Sequence, residues 1–273
     1  MANLDLIVRA LRAQCPGLEI LEHEPMRAHC SFRIGGPARA LVRPASAEET
    51  AAVCRIVREG GAQPLIIGNG TNLLITDGAL ERIVVQMGDN MAAVTQPDAT
   101  HLSAGAGIPL ARLAQAALGC GLAGLEFAHG IPGSLGGAVS MNAGAYGGEM
   151  KDVVVSTRYL DGELRLCEAH GSAHDFGYRH SAFSDTDCVL LGSTLALTPG
   201  DPADIQARMR DLSEPPQQTA ARPAERRQHV QATGGGLCRR THRSGRAQGL
   251  HGRRRAGERK ARGLCRQPRR RCV

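Results

Sequence analysis

Two glycine-rich stretches in this chain have the residue types and spacing to hold an anion. Gly124 to Gly148 reads GLEFAHGIPGSLGGAVSMNAGAYGG, without a lysine or an arginine. Gly68-Asn69-Gly70-Thr71-Asn72 is a shorter turn of the same kind. Linkers are usually polar and rich in serine, whereas the longer stretch is flanked by apolar residues. Glycine permits positive φ and lets backbone approach a ligand closely. Successive free N–H groups in such a turn form a concave anion site. Gly130, Gly133, Ser134, Gly136 and Gly137 therefore read as a backbone cradle for a phosphate-bearing cofactor. On glycine content alone they read equally well as tight turns between strands of a β-rich domain.

The elements that must position these turns are legible from periodicity. Leu4, Val8 and Leu11 share one face of a helix over residues 4–14. Residues 29–34 read as a short apolar strand running into Gly35-Gly36. Ser46 with Glu49 forms a capping box for a helix that stops at Gly60-Gly61. Residues 64–67 are a buried strand, and 73–75 and 83–85 are further strands, giving a small α/β unit around the first glycine turn. A second unit has a strand at 101–104 and a helix opened by Pro109. It continues with a hairpin of 153–159 and 163–167 around Asp161-Gly162 and a strand at 188–197. Asp201, Pro202 and Asp204 open a helix over 205–212.

The chain has 273 residues, 42% hydrophobic, with 3% aromatics, no tryptophan and nine cysteines. That length supports two moderate domains with a real core. No segment has the apolar length of a signal peptide core or a membrane span. The cysteines form no CxxC pair and no Cys/His ligand spacing, so reduced thiols in the cytoplasm are expected, with neither disulfides nor a metal site. The net charge of +7 averages two unlike parts. Residues 1–214 carry 16 basic and 24 acidic side chains, and residues 215–273 carry 17 and 2.

Three motifs stand in order: Ser31-Phe32-Arg33-Ile34-Gly35-Gly36, then Gly68-Asn69-Gly70-Thr71-Asn72-Leu73-Leu74, then Gly124 through Gly147. With Tyr178-Arg179-His180-Ser181-Ala182-Phe183 downstream, the chain from about Met26 to Glu214 resembles the UDP-N-acetylenolpyruvoylglucosamine reductase family of bacterial cell-wall synthesis. The direct run from Tyr146 to Tyr178 resembles the shorter form of that family. The resemblance implies an α+β fold, a two-lobed FAD-binding domain of the vanillyl-alcohol-oxidase type. Its divisions would be a lead-in over 1–25, lobes over 26–90 and 91–200, and the start of a substrate domain over 201–214.

By the same resemblance, Gly68, Asn69, Gly70, Thr71, Asn72, Ile131, Pro132, Gly133, Ser134, Gly136, Gly137 and Ala138 would wrap the FAD pyrophosphate. Asn142, Tyr146 and Tyr178 would lie near substrate, although a capped turn beside core tyrosines explains them equally well. Arg179 matches the family's catalytic arginine, and by spacing alone it is a surface residue of a loop. NADPH would be the reductant and a UDP-sugar the substrate, in a monomer without membrane or nucleic-acid partners. The family's proton-donating serine lies in a later GS-x-FK motif, with a glutamate near the C-terminus. Neither is readable here, and Ser213 and Ser244 lack the required context.

From Pro215 the composition changes. Sixteen of 17 basic residues are arginine, and Phe, Trp, Tyr, Ile and Met are absent. Such a segment cannot bury enough apolar area to offset chain entropy and is expected to be a disordered tail. An arginine-rich nucleic-acid arm is one reading. A displaced reading frame in GC-rich DNA is the other, and back-translation favours it. Shifting by one base turns 222–233 into DLPSAGSTFKRP, 241–249 into LIDQAGLKG and 257–268 into VSEKHAGFVVNR. In order, these resemble the family's missing α/β substrate domain, including its GS-x-FK serine. The frame would change near Glu214-Pro215.

Overall fold

A computed structural model describes residues 2–213, 228–233 and 237–242. Asn3 caps α1 (Leu4–Gln14), whose Ile7, Val8 and Leu11 are buried. Strands β1 (Glu19–Pro25) and β2 (Pro37–Arg43) follow, then α2 (Ala47–Glu59), β3 (Leu65–Ile67), β4 (Leu73–Ile75) and β5 (Leu80–Gln86). The first sheet has the order β1-β2-β5-β3. β1 pairs antiparallel with β2, and β5 lies parallel to both β2 and β3. Helices α1 and α2 cover one face, placing Val8, Leu11, Val53 and Val57 in one core with Ile83 and Val85. On the other face Met26, Leu41, Ile67, Ile75 and Val84 form a second cluster beneath the first glycine turn.

The Ser46 hydroxyl accepts from the Glu49 N–H at 3.1 Å, and the Glu49 carboxylate accepts from the Ala45 N–H at 2.6 Å. The reciprocal bond of the box is thus displaced by one residue. Arg39 joins α1 to the sheet, bonding Asp5 and, at 2.8 Å, Glu22.

Residues 29–34 correct the sequence reading: they form turns, not a strand. Arg33 donates to the Cys30 carbonyl at 3.1 Å with φ 52°, and Ser31 donates to the Gly70 carbonyl at 3.3 Å. The segment folds over the glycine turn instead of joining the sheet. The strands that do flank it, β1 and β2, show little alternation, because β2 is central and buried along most of its length.

The second sheet has the order β12-β11-β13-β7-β6, antiparallel throughout. Its strands are β6 (Val94–Thr95), β7 (His101–Gly105), β11 (Val154–Leu160), β12 (Leu166–His170) and β13 (Val189–Ala196). Helices α3 (Leu110–Gly119), α4 (Leu135–Ser140) and α5 (Pro202–Ser213) flank it. Between them lie two short pairs. One joins β8 (Leu122–Ala123) to β14 (Thr198–Pro199), the other β9 (Gly144–Ala145) to β10 (Gly148–Glu149). Ile205 and Met209 of α5 are buried in this second core beside Leu113 and Leu125. By packing, α5 therefore belongs with the second lobe. Leu160, Val189 and Leu191 pack into the first lobe's core and join the halves.

Of residues 215–273, β15 (Gln228–Thr233) and β16 (Leu237–His242) are described. They pair as an antiparallel hairpin, and β16 pairs with β4. The remaining residues assigned to the tail lie outside the described set. Among the described residues no helix is long and apolar enough to cross a membrane, and Cys15, Cys30, Cys54, Cys120, Cys167 and Cys188 are free thiols.

The second lobe buries a polar chain. The His174 ring is fully enclosed, with Nδ1 donating to the Gly171 carbonyl at 3.0 Å. Its Nε2 accepts from the Thr157 hydroxyl at 2.9 Å, and that hydroxyl lies 2.9 Å from Ser193 Oγ. Phe176 stacks on the ring at 4.9 Å. Burial holds the imidazole below its usual range, so it is neutral in the fold. The unfolded chain takes up this proton at the ordinary histidine value of about 6.5, and the folded chain resists it. Stability should therefore fall as pH drops below about 6.5, by at most ~1.4 kcal/mol per pH unit for this proton. Thermal midpoints of the parent and His174→Gln across pH 8 to 5 test this. The variant should be less stable overall and lose one proton's worth of slope, and identical slopes would dismiss the assignment.

Candidate active site

The two glycine turns meet. A Cβ added at Gly68 would lie 2.0 Å from Ser134 Oγ, and one at Gly133 would lie 3.3 Å from Thr71 Oγ1. Gly70 is more tightly enclosed: with φ 62°, its Cβ would fall 2.0 Å from the His29 carbonyl oxygen. Glycine is required here by backbone on the far side, supplied by the turns of residues 29–34. Gly35 and Gly36 serve the same wedge, since a Cβ at Gly36 would meet the Gly78 carbonyl oxygen at 2.1 Å.

Among the described residues, none of the backbone N–H groups from Gly68 to Asn72 donates a hydrogen bond, nor do those of Gly133, Ser134 and Gly137. Two facing turns of unused N–H groups form a donor set without fixed negative charge, and this suits a pyrophosphate. The other predicted cradle residues have internal tasks. Ile131 donates to Ala128 at 3.1 Å, Gly136 to Ala106 at 2.8 Å and Ala138 to Ser134 at 2.9 Å. Gly136 is small because its Cβ would press on Ala106 Cβ at 3.0 Å. Pro132 has no N–H and is exposed.

Beyond α4 lies a shallow cleft of about 200 Å³ lined by Asn142, residues 144–149, Tyr178 and Arg179. Residues far apart in the chain, Asn142 to Tyr146 and Tyr178 to Arg179, are thus brought together. Tyr146 and Tyr178 are 62% and 78% exposed, and their rings flank the opening instead of filling a core. Asn142 is nearly enclosed at 4% exposure, and its amide is fully engaged. Nδ2 donates to Glu149 Oε2 at 2.9 Å and to the Gly177 carbonyl at 3.0 Å, and Oδ1 accepts from the Lys151 N–H at 3.0 Å.

Asn142, Tyr146 and Arg179 all have left-handed backbone, with φ of 42°, 53° and 54°. For residues other than glycine this costs about 1–3 kcal/mol each and is concentrated at functional sites. Arg179 has no carboxylate within 4 Å among the described residues, so its guanidinium is open to a ligand. Glu149 is held below the usual carboxylate range, first by Lys151, then by Asn142, with a contribution from Arg179.

A larger groove of about 770 Å³ beside α1 contains none of the motif residues. No metal-binding cluster of His, Cys, Asp or Glu occurs among the described residues.

Residues 38–168 match a family described as an FAD binding domain. The UDP-N-acetylenolpyruvoylglucosamine reductase of Clostridioides difficile is 42% identical over 213 residues, covering 78% of this chain and 69% of that protein. The reductase of Levilactobacillus brevis is 41% identical over 198 residues, covering 72% and 64%. The chain belongs to the UDP-N-acetylenolpyruvoylglucosamine reductase family. It spans about two thirds of the length of these curated relatives. The crystal structure of the family member from Thermus caldophilus superposes with a TM-score of 0.60 at 29% identity, covering 71% of this chain and 67% of that one. A variant of Physcomitrella patens BBE-like 1 shares the fold alone, with a TM-score of 0.53 at 15% identity, covering 70% of this chain and 44% of that one.

As a member of this reductase family the chain has an FAD-binding fold, and the facing turns are the part of it whose donors fit the cofactor. Sequence reasoning placed Arg179, Asn142 and both tyrosines near one another but missed Glu149 and Lys151. Their signal was the Gly-Gly-Glu-Met-Lys run after Tyr146.

Gly70→Ala should destabilise the fold by roughly 2–4 kcal/mol and abolish FAD retention, because its Cβ meets fixed backbone at a left-handed position. Gly137→Ala has only Ser134 Oγ nearby, at 3.8 Å, and should leave the denaturation midpoint unchanged or raise it. Equal midpoints for the two variants would remove the wedge of residues 29–34 from the account of the cradle.

Proposed function

We propose that this lineage reduces UDP-N-acetylglucosamine enolpyruvate to UDP-N-acetylmuramate, with FAD bound in the cradle and NADPH as reductant. The setting is peptidoglycan precursor synthesis in the cytoplasm, and the protein is a monomer that needs no nucleic-acid or membrane partner. The observation that supports this reading most is Arg179. Its unpaired guanidinium sits on a strained turn at a cleft that α4 joins directly to the cradle.

Bound FAD supplies hydride transfer between the reductant and the enolpyruvyl double bond. Arg179 supplies the electrostatics. As hydride adds to the double bond, negative charge develops on the substrate carboxylate as an enolate. A fixed guanidinium lowers that barrier, because it stays protonated and holds a carboxylate bidentately. Tyr146 and Tyr178 offer flat apolar faces on either side of the opening, suited to the nicotinamide or the sugar. The family's proton donor is the GS-x-FK serine, which in this chain is spelled only in the displaced frame across 222–233. On this reading residues 1–214 carry the FAD module, and residues 215–273 do not spell the group that completes the reaction.

Purified chain should retain FAD yet show NADPH oxidation near background when the enolpyruvyl substrate is added. Restoring the frame after Glu214 should raise that rate. In the restored protein Arg179→Ala should lower kcat by about 10²–10³-fold, the scale of losing one preorganised oxyanion donor. Folded material that stays colourless with added FAD would refute the reading as a whole. Near-normal turnover by the 273-residue chain would refute the displaced frame.

A further inference from the structure

We propose that Glu149 is a positioning residue for Arg179, acting through the amide of Asn142. The proposal deepens the reading of Arg179 as the ligand of the substrate carboxylate and rests on it.

Arg179 sits at the tip of a closed turn. Gly177 donates to the His180 carbonyl at 3.0 Å, and His180 donates back to Gly177 at 3.3 Å. The turn is tied to the protein at both ends by the segment that follows α4. Downstream, the hydroxyls of Ser181 and Ser184 each donate to the Ser140 carbonyl at 2.8 Å. Upstream, the Gly177 carbonyl accepts from Asn142 Nδ2 at 3.0 Å. The upstream tie holds only while the Asn142 amide faces one way. Its NH2 must point to Gly177 and its oxygen to the Lys151 N–H.

Glu149 decides that orientation. Its Oε2 accepts from the same NH2 at 2.9 Å. A flipped amide would set its oxygen against two acceptors, the Glu149 carboxylate and the Gly177 carbonyl, and would turn its NH2 toward the Lys151 N–H. Every partner would then be of the wrong kind. An ionised carboxylate makes the preference stronger than a neutral acceptor would. Glu149 is kept ionised by Lys151, whose Nζ lies 2.7 Å away.

The pairing also explains how a carboxylate can stand near Arg179 without occupying it. Lys151 neutralises Glu149, so the field at the cleft is set by Arg179. The positioning acts through hydrogen bonds, and the guanidinium is left for the ligand. Glu149 lies on β10, and Tyr146 lies on the turn that joins β9 to β10, so the positioning residue sits on the hairpin that carries the other wall of the cleft.

The test is hydrogen exchange by mass spectrometry on the full chain, without any ligand. Glu149→Ala should raise exchange of the amides of residues 177–181 by about tenfold, the scale of losing one hydrogen bond that restrains a local opening. β11 and β13 should be unchanged. Glu149→Gln keeps an acceptor for Asn142 and should stay within about threefold of the parent. Asn142→Ala should match Glu149→Ala, and the double variant should add nothing. Unchanged exchange in Glu149→Ala would overturn the proposal, as would an increase spread evenly over the second sheet or a Gln variant as loose as the Ala variant. The measurement needs neither flavin nor turnover. A chain that shows this pattern and binds no FAD would sink the proposed function while keeping the positioning role. The converse result would separate them the other way.

Discussion

The structure depends on close approaches that only glycine permits, backbone against backbone behind the first turn and backbone against the Ser134 side chain where the two lobes meet. Gly70 lies against the His29 carbonyl, and Gly68 lies against Ser134, at distances where a single methyl group would intrude. The Gly68 contact brings one turn of unused N–H groups toward the other, and the Gly70 contact backs the first turn with residues 29–34. Neither turn could hold a doubly charged bridge alone, since a handful of amide donors must converge to replace its hydration. The close approach makes that convergence a property of the fold. It also explains why residues 29–34 leave the sheet: they fill the outside of the turn that the sheet leaves exposed.

From this contact the order propagates along the chain. Ser134 begins α4, α4 ends at Ser140, and Ser140 and Asn142 grip the turn that bears Arg179. A displacement of the cradle would move the cationic group by a path of about ten residues. The strain at Asn142, Tyr146 and Arg179 is tolerated because each sits on a turn closed by hydrogen bonds on both sides. Unsupported, left-handed tyrosine and arginine would relax, at a gain of about 1–3 kcal/mol each. Of the strained residues, Tyr146 and Arg179 are exposed at the cleft.

Much of the fold was legible because local signals agreed with burial. Helix α2 was announced by Ser46 and Glu49 and closed at Gly60. β13 read as a continuous apolar run because it is central in its sheet. Glycine density located both cradle turns, since close approach leaves a compositional mark. Three things did not show. β1 and β2 lack alternation, because tertiary pairing holds them. Gly136 looked like a cradle donor, yet its N–H serves Ala106, and composition cannot say which of several adjacent amides faces outward. Glu149 was not singled out. Its task depends on a partner seven residues back and a turn 28 residues on, a relation created only by folding.

The position of α5 bears on how a chain of this length can fold at all. Ile205 and Met209 are buried with Leu113 and Leu125 and complete the second core before Pro215 is reached. The change of composition at that point therefore falls after the last helix that the FAD-binding core requires. A displaced frame within α5 or β13 would have removed buried aliphatic residues and, at about 2–5 kcal/mol for each large side chain lost, exceeded the stability of a typical domain. A displaced frame beyond Pro215 would leave these buried side chains in place. On the proposed reading the cofactor cradle and Arg179 lie upstream of that point, and the displaced frame that would spell the proton donor lies downstream. A single shift of frame would thus divide cofactor binding from turnover after the second core is complete.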